Sequence, residues 1–138
     1  MADATPQLSR RPRPLSPHLS IYRRLNNMVM SILHRITGVA LYFGTLLLAW
    51  WLIAAATGPA YFEFVSGLLS TLPGKLVLVG YTWALMHHML GGMRHLVWDT
   101  GRGFSIGMIN LLSWSTILGS LGLTVAIWLA GLKMKGML

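Results

Sequence analysis

Cysteine is absent from this 138-residue chain, and acidic side chains nearly so: three Asp and Glu stand against eleven Lys and Arg. The first absence excludes disulfides, thiolate metal ligation, an iron–sulfur cluster of the chain's own and covalent haem attachment through a C-x-x-C-H motif. Charge of either sign is scarce. Charged residues make up 10% of the chain, where a soluble domain carries about a quarter, while 54% are hydrophobic and the mean hydropathy is +0.61. No apolar h-region precedes residue 28, so no secretory signal peptide is expected, and a trimmed organellar transit peptide stays open. The length leaves no room for a membrane bundle plus a separate catalytic domain, so one domain, 1–138, is expected.

A net charge of +8 would suit nucleic acid, but its distribution reads as membrane topology. Arg10, Arg11, Arg13, Arg23 and Arg24 precede the first apolar run, Arg35 lies just inside it, and Arg94 and Arg102 flank the end of the second. With these on the inside, Lys75, Lys133 and Lys135 fall outside. The positive-inside rule then gives an N-in, C-out chain with three spans and no nucleic-acid partner.

The expected fold is all-α and integral to the membrane. An arm over 1–25 is broken by Pro6, Pro12, Pro14 and Pro17 and reads as extended. Span one runs over about 28–56, with Asn26 or Asn27 as its cap. Tyr61, Phe64, Val65, Leu68, Leu69 and Leu72 recur at helical spacing opposite Glu63, Ser66 and Ser70, as in a short interfacial helix that Pro73 and Gly74 end. Span two covers about 76–97, a tight turn with Gly101 and Gly103 follows, and span three covers about 109–132. In span three, Ser115 and Gly119, then Gly122, Ala126 and Ala130, at four-residue intervals, permit close helix contact.

The stretch HHMLGGMRHLVWD, residues 87–99, puts three imidazoles, an arginine and paired glycines on an apolar helix. Ionisable groups there call for a functional reason. His88 and His95, two turns apart, share a face with Gly91, Gly92 and Asp99, and the glycines leave it hollow. A bundle accommodates a flat cofactor such as haem beside a histidine in this way. His87 points about 100° away from His88, so the two do not serve one iron face.

Span one carries its own polar group, SILHR, with Ser31 and Arg35 one turn apart. Arg35 lies ~10 Å along the helix from Met28, a depth comparable to that of His88. An unpaired arginine there costs roughly 2.5–3.5 kcal/mol, and an anionic propionate or a quinone carbonyl would partner it. Blander readings stand beside these. Arg94 and His95 can snorkel to the interface, Asp99 can be a helix-end residue paired with Arg94 or Arg102, and spacing alone leaves His88 evenly divided between haem ligation and helix packing. Trp50, Trp51 and Trp98 read as interfacial belt residues.

Three blocks, RPLSPHLSIYR over 13–23, SILHRITG over 31–38 and HHMLGGMRHLVWD over 87–99, together resemble the cytochrome b membrane-anchor subunits of succinate dehydrogenase. The resemblance implies a second, smaller three-helix anchor as partner, one b-type haem shared between the two, and a flavoprotein and an iron–sulfur protein docked on the inner face. It implies His88 as axial iron ligand with Gly92 one turn on, His34 and Arg35 near the propionates with His95 beside the cofactor, and Ser31 and Arg35 at the ubiquinone site. No residue of this chain is then catalytic in bond-making, since succinate is oxidised elsewhere. The setting implied is a bacterial inner membrane with the N-terminus cytoplasmic, the alternative a mitochondrial inner membrane. Two other readings remain: a self-contained cytochrome ligated by His34 and His88, and a haem-free structural anchor.

Overall fold

The computed structural model describes residues 24–136, so the arm and the block over 13–23 lie almost wholly outside the described residues. Four helices follow one another: α1 (Asn26–Thr57), α2 (Pro59–Ser70), α3 (Leu72–Asp99) and α4 (Ile106–Met134). All described regular structure is helical. The 32 residues of α1 extend ~48 Å at 1.5 Å per residue, more than a hydrocarbon core of about 30 Å requires. By length and composition α1 and α4 can each cross a membrane, and up to three crossings result if α2 and α3, bent by 80° at their break, count as one.

Local chemistry sets the boundaries, and two differ from the sequence expectation. Asn26 and Asn27 lie inside α1; Leu25 is the N-cap, without a side-chain hydrogen bond. Pro73 and Gly74 belong to the first turn of α3 rather than ending α2. A first-turn N–H has no intrahelical acceptor, so proline sacrifices nothing there. The Thr71 hydroxyl caps the same turn by accepting from Gly74 N at 3.3 Å. Span two thus begins earlier than residue 76, and α4 begins at Ile106 behind the cap Ser105. Gly58, at φ 144°, joins α1 to α2 in a conformation that a side chain would strain. The turn after α3 uses Gly101 and Gly103, at φ 74° and 83°, and Trp98 Nε1 donates to the Gly103 carbonyl across it at 3.3 Å.

The packing of α3 against α1 and against α4 is antiparallel. Along α1, His34 meets Gly91, Gly38 meets His88 and Gly44 meets Tyr81, so contacts climb α1 as they descend α3. Between α3 and α4, Leu90 lies against Gly119 and Trp128 Nε1 donates to Thr82 Oγ1 at 3.4 Å. α2 lies along the end of α1, where Trp50 Nε1 donates to the Tyr61 hydroxyl at 2.8 Å and Trp51 packs 5.5 Å from Phe62.

The interior is polar and the exterior apolar. Among the described residues Thr37, His87, Arg94, Ser113, Thr116, Ser120 and Thr124 are buried, against Met30, Ala54, Val65 and Ala84 of the apolar set. Leucines, isoleucines and phenylalanines line the outside instead. That distribution suits a lipid solvent, in which helix association relies on small and hydroxyl-bearing interfaces rather than on hydrophobic burial. The hydroxyls are self-satisfied: Ser113, Thr116 and Thr124 donate to the carbonyl four residues back, and Ser120 to that of Ile117. Ser113, Thr116, Ser120 and Thr124 form the packed stripe of α4. Of the small residues expected to do so, Gly119 touches α3, whereas Ser115, Gly122, Ala126 and Ala130 are exposed.

Candidate functional site

Three histidines converge where the N-terminal half of α1 crosses the C-terminal half of α3. The His34 and His88 rings stack with centroids 3.9 Å apart and planes 7° from parallel. His95, one face further along α3, brings its ring to 5.4 Å from His34 and 5.2 Å from Trp98. Glycine makes the approach possible. A Cβ on Gly91 would lie 2.5 Å from His34 Nδ1, and one on Gly38 would lie 3.1 Å from His88 Cε1. The hollow expected beside His88 is therefore filled at Gly91 by the His34 ring, while Gly92 has nothing within 4 Å of its Cβ position.

Hydrogen bonding distinguishes the adjacent histidines. His88 Nδ1 lies 3.1 Å from the His34 carbonyl and 3.3 Å from Thr37 Oγ1. A carbonyl only accepts, so Nδ1 carries the proton in that bond and the Nε2 lone pair is left for another partner. Thr37 is 1% exposed and its hydroxyl lies within reach of the Leu33 and His34 carbonyls, which fixes it beside the imidazole. His87 is 1% exposed, packs 5.3 Å from Trp83 and has neither ring nitrogen hydrogen-bonded. Orientation by a second group is the usual condition of a metal-binding imidazole. His88 meets it and His87 does not.

Arg94 does not snorkel. It is 4% exposed, Nε and Nη1 have no hydrogen-bond partner, and its guanidinium carbon lies 5.1 Å from the Trp98 ring centre. A desolvated cation–π contact recovers about 2 kcal/mol, close to the roughly 2.5–3.5 kcal/mol an intramembrane arginine costs. Ser31 and Arg35 are exposed on α1, and Asp99 is the exposed last residue of α3. The structure thus joins His34, His88 and His95 and leaves Ser31 and Arg35 on an open face at the neighbouring level. Thr37 and Gly38 were not singled out from the sequence. The signal was a hydroxyl one turn after His34 on an apolar helix, with a glycine beside it.

The comparisons with known proteins cover nearly all of this geometry. Residues 9–128 match the model for the succinate dehydrogenase/fumarate reductase transmembrane subunit. The chain is 43% identical over 116 residues to the succinate dehydrogenase cytochrome b556 subunit of Rickettsia felis, covering 84% of this chain and 90% of that protein. Against the subunit of the same name from Paracoccus denitrificans the identity is 43% over 113 residues, 82% and 87% of the two chains. The mitochondrial cytochrome b560 subunit of Sus scrofa is 39% identical over 122 residues, 80% of this chain and 69% of that one. The matched region takes in α1, α2, α3 and most of α4, with the three converging histidines inside it, and the chain belongs to the succinate dehydrogenase/fumarate reductase transmembrane subunit family.

Proposed function

We propose that this chain is the larger membrane anchor of a succinate:quinone oxidoreductase, contributing the iron ligand His88 to a b-type haem and Ser31 and Arg35 to the quinone site. The carrying observation is the hydrogen bond of His88 Nδ1 to the His34 carbonyl, which aims a lone pair at Nε2. Relatives named cytochrome b subunits support the haem. When bound, the haem supplies one-electron redox capacity beside the quinone. His88 would hold its iron, His34 and Arg35 would lie near its propionates, and Gly92 and His95 would flank it.

The stacked rings argue against a self-contained cytochrome. His34 and His88 lie side by side with near-parallel planes and centroids 3.9 Å apart, which leaves no room for the two to hold one iron between them. The second ligand accordingly comes from a smaller partner anchor, and a flavoprotein and an iron–sulfur protein bound on the inner face deliver the electrons of succinate. The alternating directions of α1, α3 and α4 support a reading of three crossings, with α2, bent 80° from α3, along the outer interface. Arg24, Arg35, Arg94 and Arg102 belong to the end of the bundle that holds the three histidines, and the positive-inside rule supports an inward orientation for that end. A bacterial inner membrane is the setting, in keeping with the bacterial relatives; mitochondrial relatives support the same placement in an organelle.

Quinone reduction consumes two electrons and two protons. Ser31 would donate a hydrogen bond to one quinone oxygen, and Arg35 would stabilise the negative charge that develops there, as a preorganised cation does in a water-poor site. The partner anchor would complete the pocket over the open face of α1. The test is a reduced-minus-oxidised spectrum of the intact complex. His88→Leu should abolish the low-spin b-type signal and His87→Leu should retain it; the reverse result would transfer the ligand to His87, and no signal in the unmodified complex would leave a haem-free anchor.

A further inference from the structure

The end of the bundle opposite the histidines holds two apolar cavities, of about 500 Å³ and 340 Å³, both within the usual ~300–1,000 Å³ of small-molecule sites. They share Leu78, Trp128 and Lys135 as common walls. From this junction the larger arm runs among Trp51, Phe62 and Tyr81 towards α2, and the smaller between α3 and α4 past Ile127, Gly131 and Leu132. Lys75 stands with Lys135 on the larger arm. Ser66 Oγ also lines it, buried and without a hydrogen-bond partner.

We infer that this forked cavity binds one anionic diacyl phospholipid, its phosphate between Lys75 and Lys135 and one acyl chain in each arm. Two apolar arms meeting at a cation match the shape of that molecule. A quinone has a single tail and no charge, and a fatty acid has one chain. The unpaired Ser66 hydroxyl is suited to donate to an acyl-ester carbonyl, since an unmet buried hydroxyl is costly in an apolar surround. Charge favours the same occupant. Of the two acidic side chains among the described residues, Glu63 and Asp99, only Glu63 lies near this end, and it is exposed on α2 rather than lining either arm. Lysines that merely snorkel would reach the headgroup layer without selecting a lipid; Lys135 at the fork, with Lys75 on the larger arm, selects anionic headgroup and chain number together.

The intact complex is purified in mild detergent, lipid-exchanged, and titrated by native mass spectrometry with phosphatidylglycerol, phosphatidylcholine, lysophosphatidylglycerol and a short-tailed ubiquinone. One phosphatidylglycerol per chain should bind in preference to the other three. At roughly five-fold per lysine, Lys75→Gln with Lys135→Gln should weaken it about 25-fold, with the haem spectrum and subunit content unchanged. Both lysines are exposed, so the pair of changes spares the fold. Gly131 has open space at its Cβ, and Gly131→Leu should fill the smaller arm and turn preference to the single-chain lipid. Unchanged phosphatidylglycerol affinity in the double lysine variant, equal binding of phosphatidylcholine, or displacement by ubiquinone would each overturn the assignment. So would a photocrosslinker at Leu132 that captures the partner anchor instead of lipid.

Discussion

The imidazoles of His34 and His88 lie face to face at 3.9 Å, and the same pair is tied edgewise by His88 Nδ1 to the His34 carbonyl at 3.1 Å. One residue of α1 thus both covers a face of the proposed iron ligand and orients it. The arrangement needs two helices in close register, which Gly38 and Gly91 permit from either side.

Gly91 and Gly92 should respond differently to the same change. A Cβ on Gly91 would meet His34 Nδ1 at 2.5 Å, so Gly91→Ala forces the imidazole off His88 at a cost of about 1–3 kcal/mol. Gly92 has open space, and alanine there gains up to about 1 kcal/mol of helix propensity. Gly91→Ala should lower the thermal stability of the complex together with its haem content. Gly92→Leu should leave stability unchanged and lower haem content alone, the outcome expected if the open space faces the cofactor.

Thr37 should tune the haem without holding it. Its hydroxyl lies 3.3 Å from His88 Nδ1, and Thr37→Val keeps the shape while removing that partner. The His34 carbonyl still orients the ring, so haem is retained. A weaker hydrogen bond makes the imidazole a poorer donor to ferric iron and raises the potential. With a bond worth roughly 0.5–1.5 kcal/mol the rise is at most about 60 mV in a redox titration. An unshifted potential would show that Thr37 only packs.

Some of this was legible in the sequence and some was not, for physical reasons. The long, mainly apolar runs of α1 and α4 declared themselves, and the polar block over 87–99 marked the end of α3 at which His88 and His95 meet His34. Pro73-Gly74 read as a terminator because proline breaks a helix interior, yet at the start of α3 it lacks only a donor that no acceptor awaited. Of the expected stripe of α4 only Gly119 meets α3; Ser115, Gly122, Ala126 and Ala130 face outward, because side-chain size alone does not tell which face of an apolar helix packs. Back-bonded to their own helix, Ser113, Thr116, Ser120 and Thr124 behave as small, nearly apolar residues. The filling of the Gly91 hollow by His34 joins positions 57 residues apart, and no local pattern encodes it.

Ser120 offers a test of that stripe. It is fully buried, and its hydroxyl bonds within α4 rather than across to α3. Ser120→Ala should therefore change the melting temperature of the complex little, since no interhelical bond is lost. Ser120→Leu adds volume to a closed contact and should destabilise by about 1–3 kcal/mol. Equal loss in both variants would mean that the hydroxyl holds the helices together.

Substitutions at Ser31 and Arg35 should separate quinone chemistry from succinate oxidation. Both are exposed on α1 one turn apart, at the level that the His34–His88 stack fixes between the two helices. If Ser31 bonds a neutral quinone as proposed, Ser31→Ala removes a hydrogen bond worth roughly 0.5–1.5 kcal/mol and should raise the quinone KM about two- to ten-fold. Arg35→Leu removes the cation proposed to stabilise the developing charge, so quinone reductase activity should fall by two orders of magnitude or more. Succinate oxidation with a soluble artificial acceptor should survive, because that reaction ends before the membrane site. Both activities are measured on the same membranes, with subunit content read from a gel. Wild-type quinone reduction in Arg35→Leu would remove Arg35 from the quinone site; loss of both activities together with the subunits would give it a structural role in holding the anchor together.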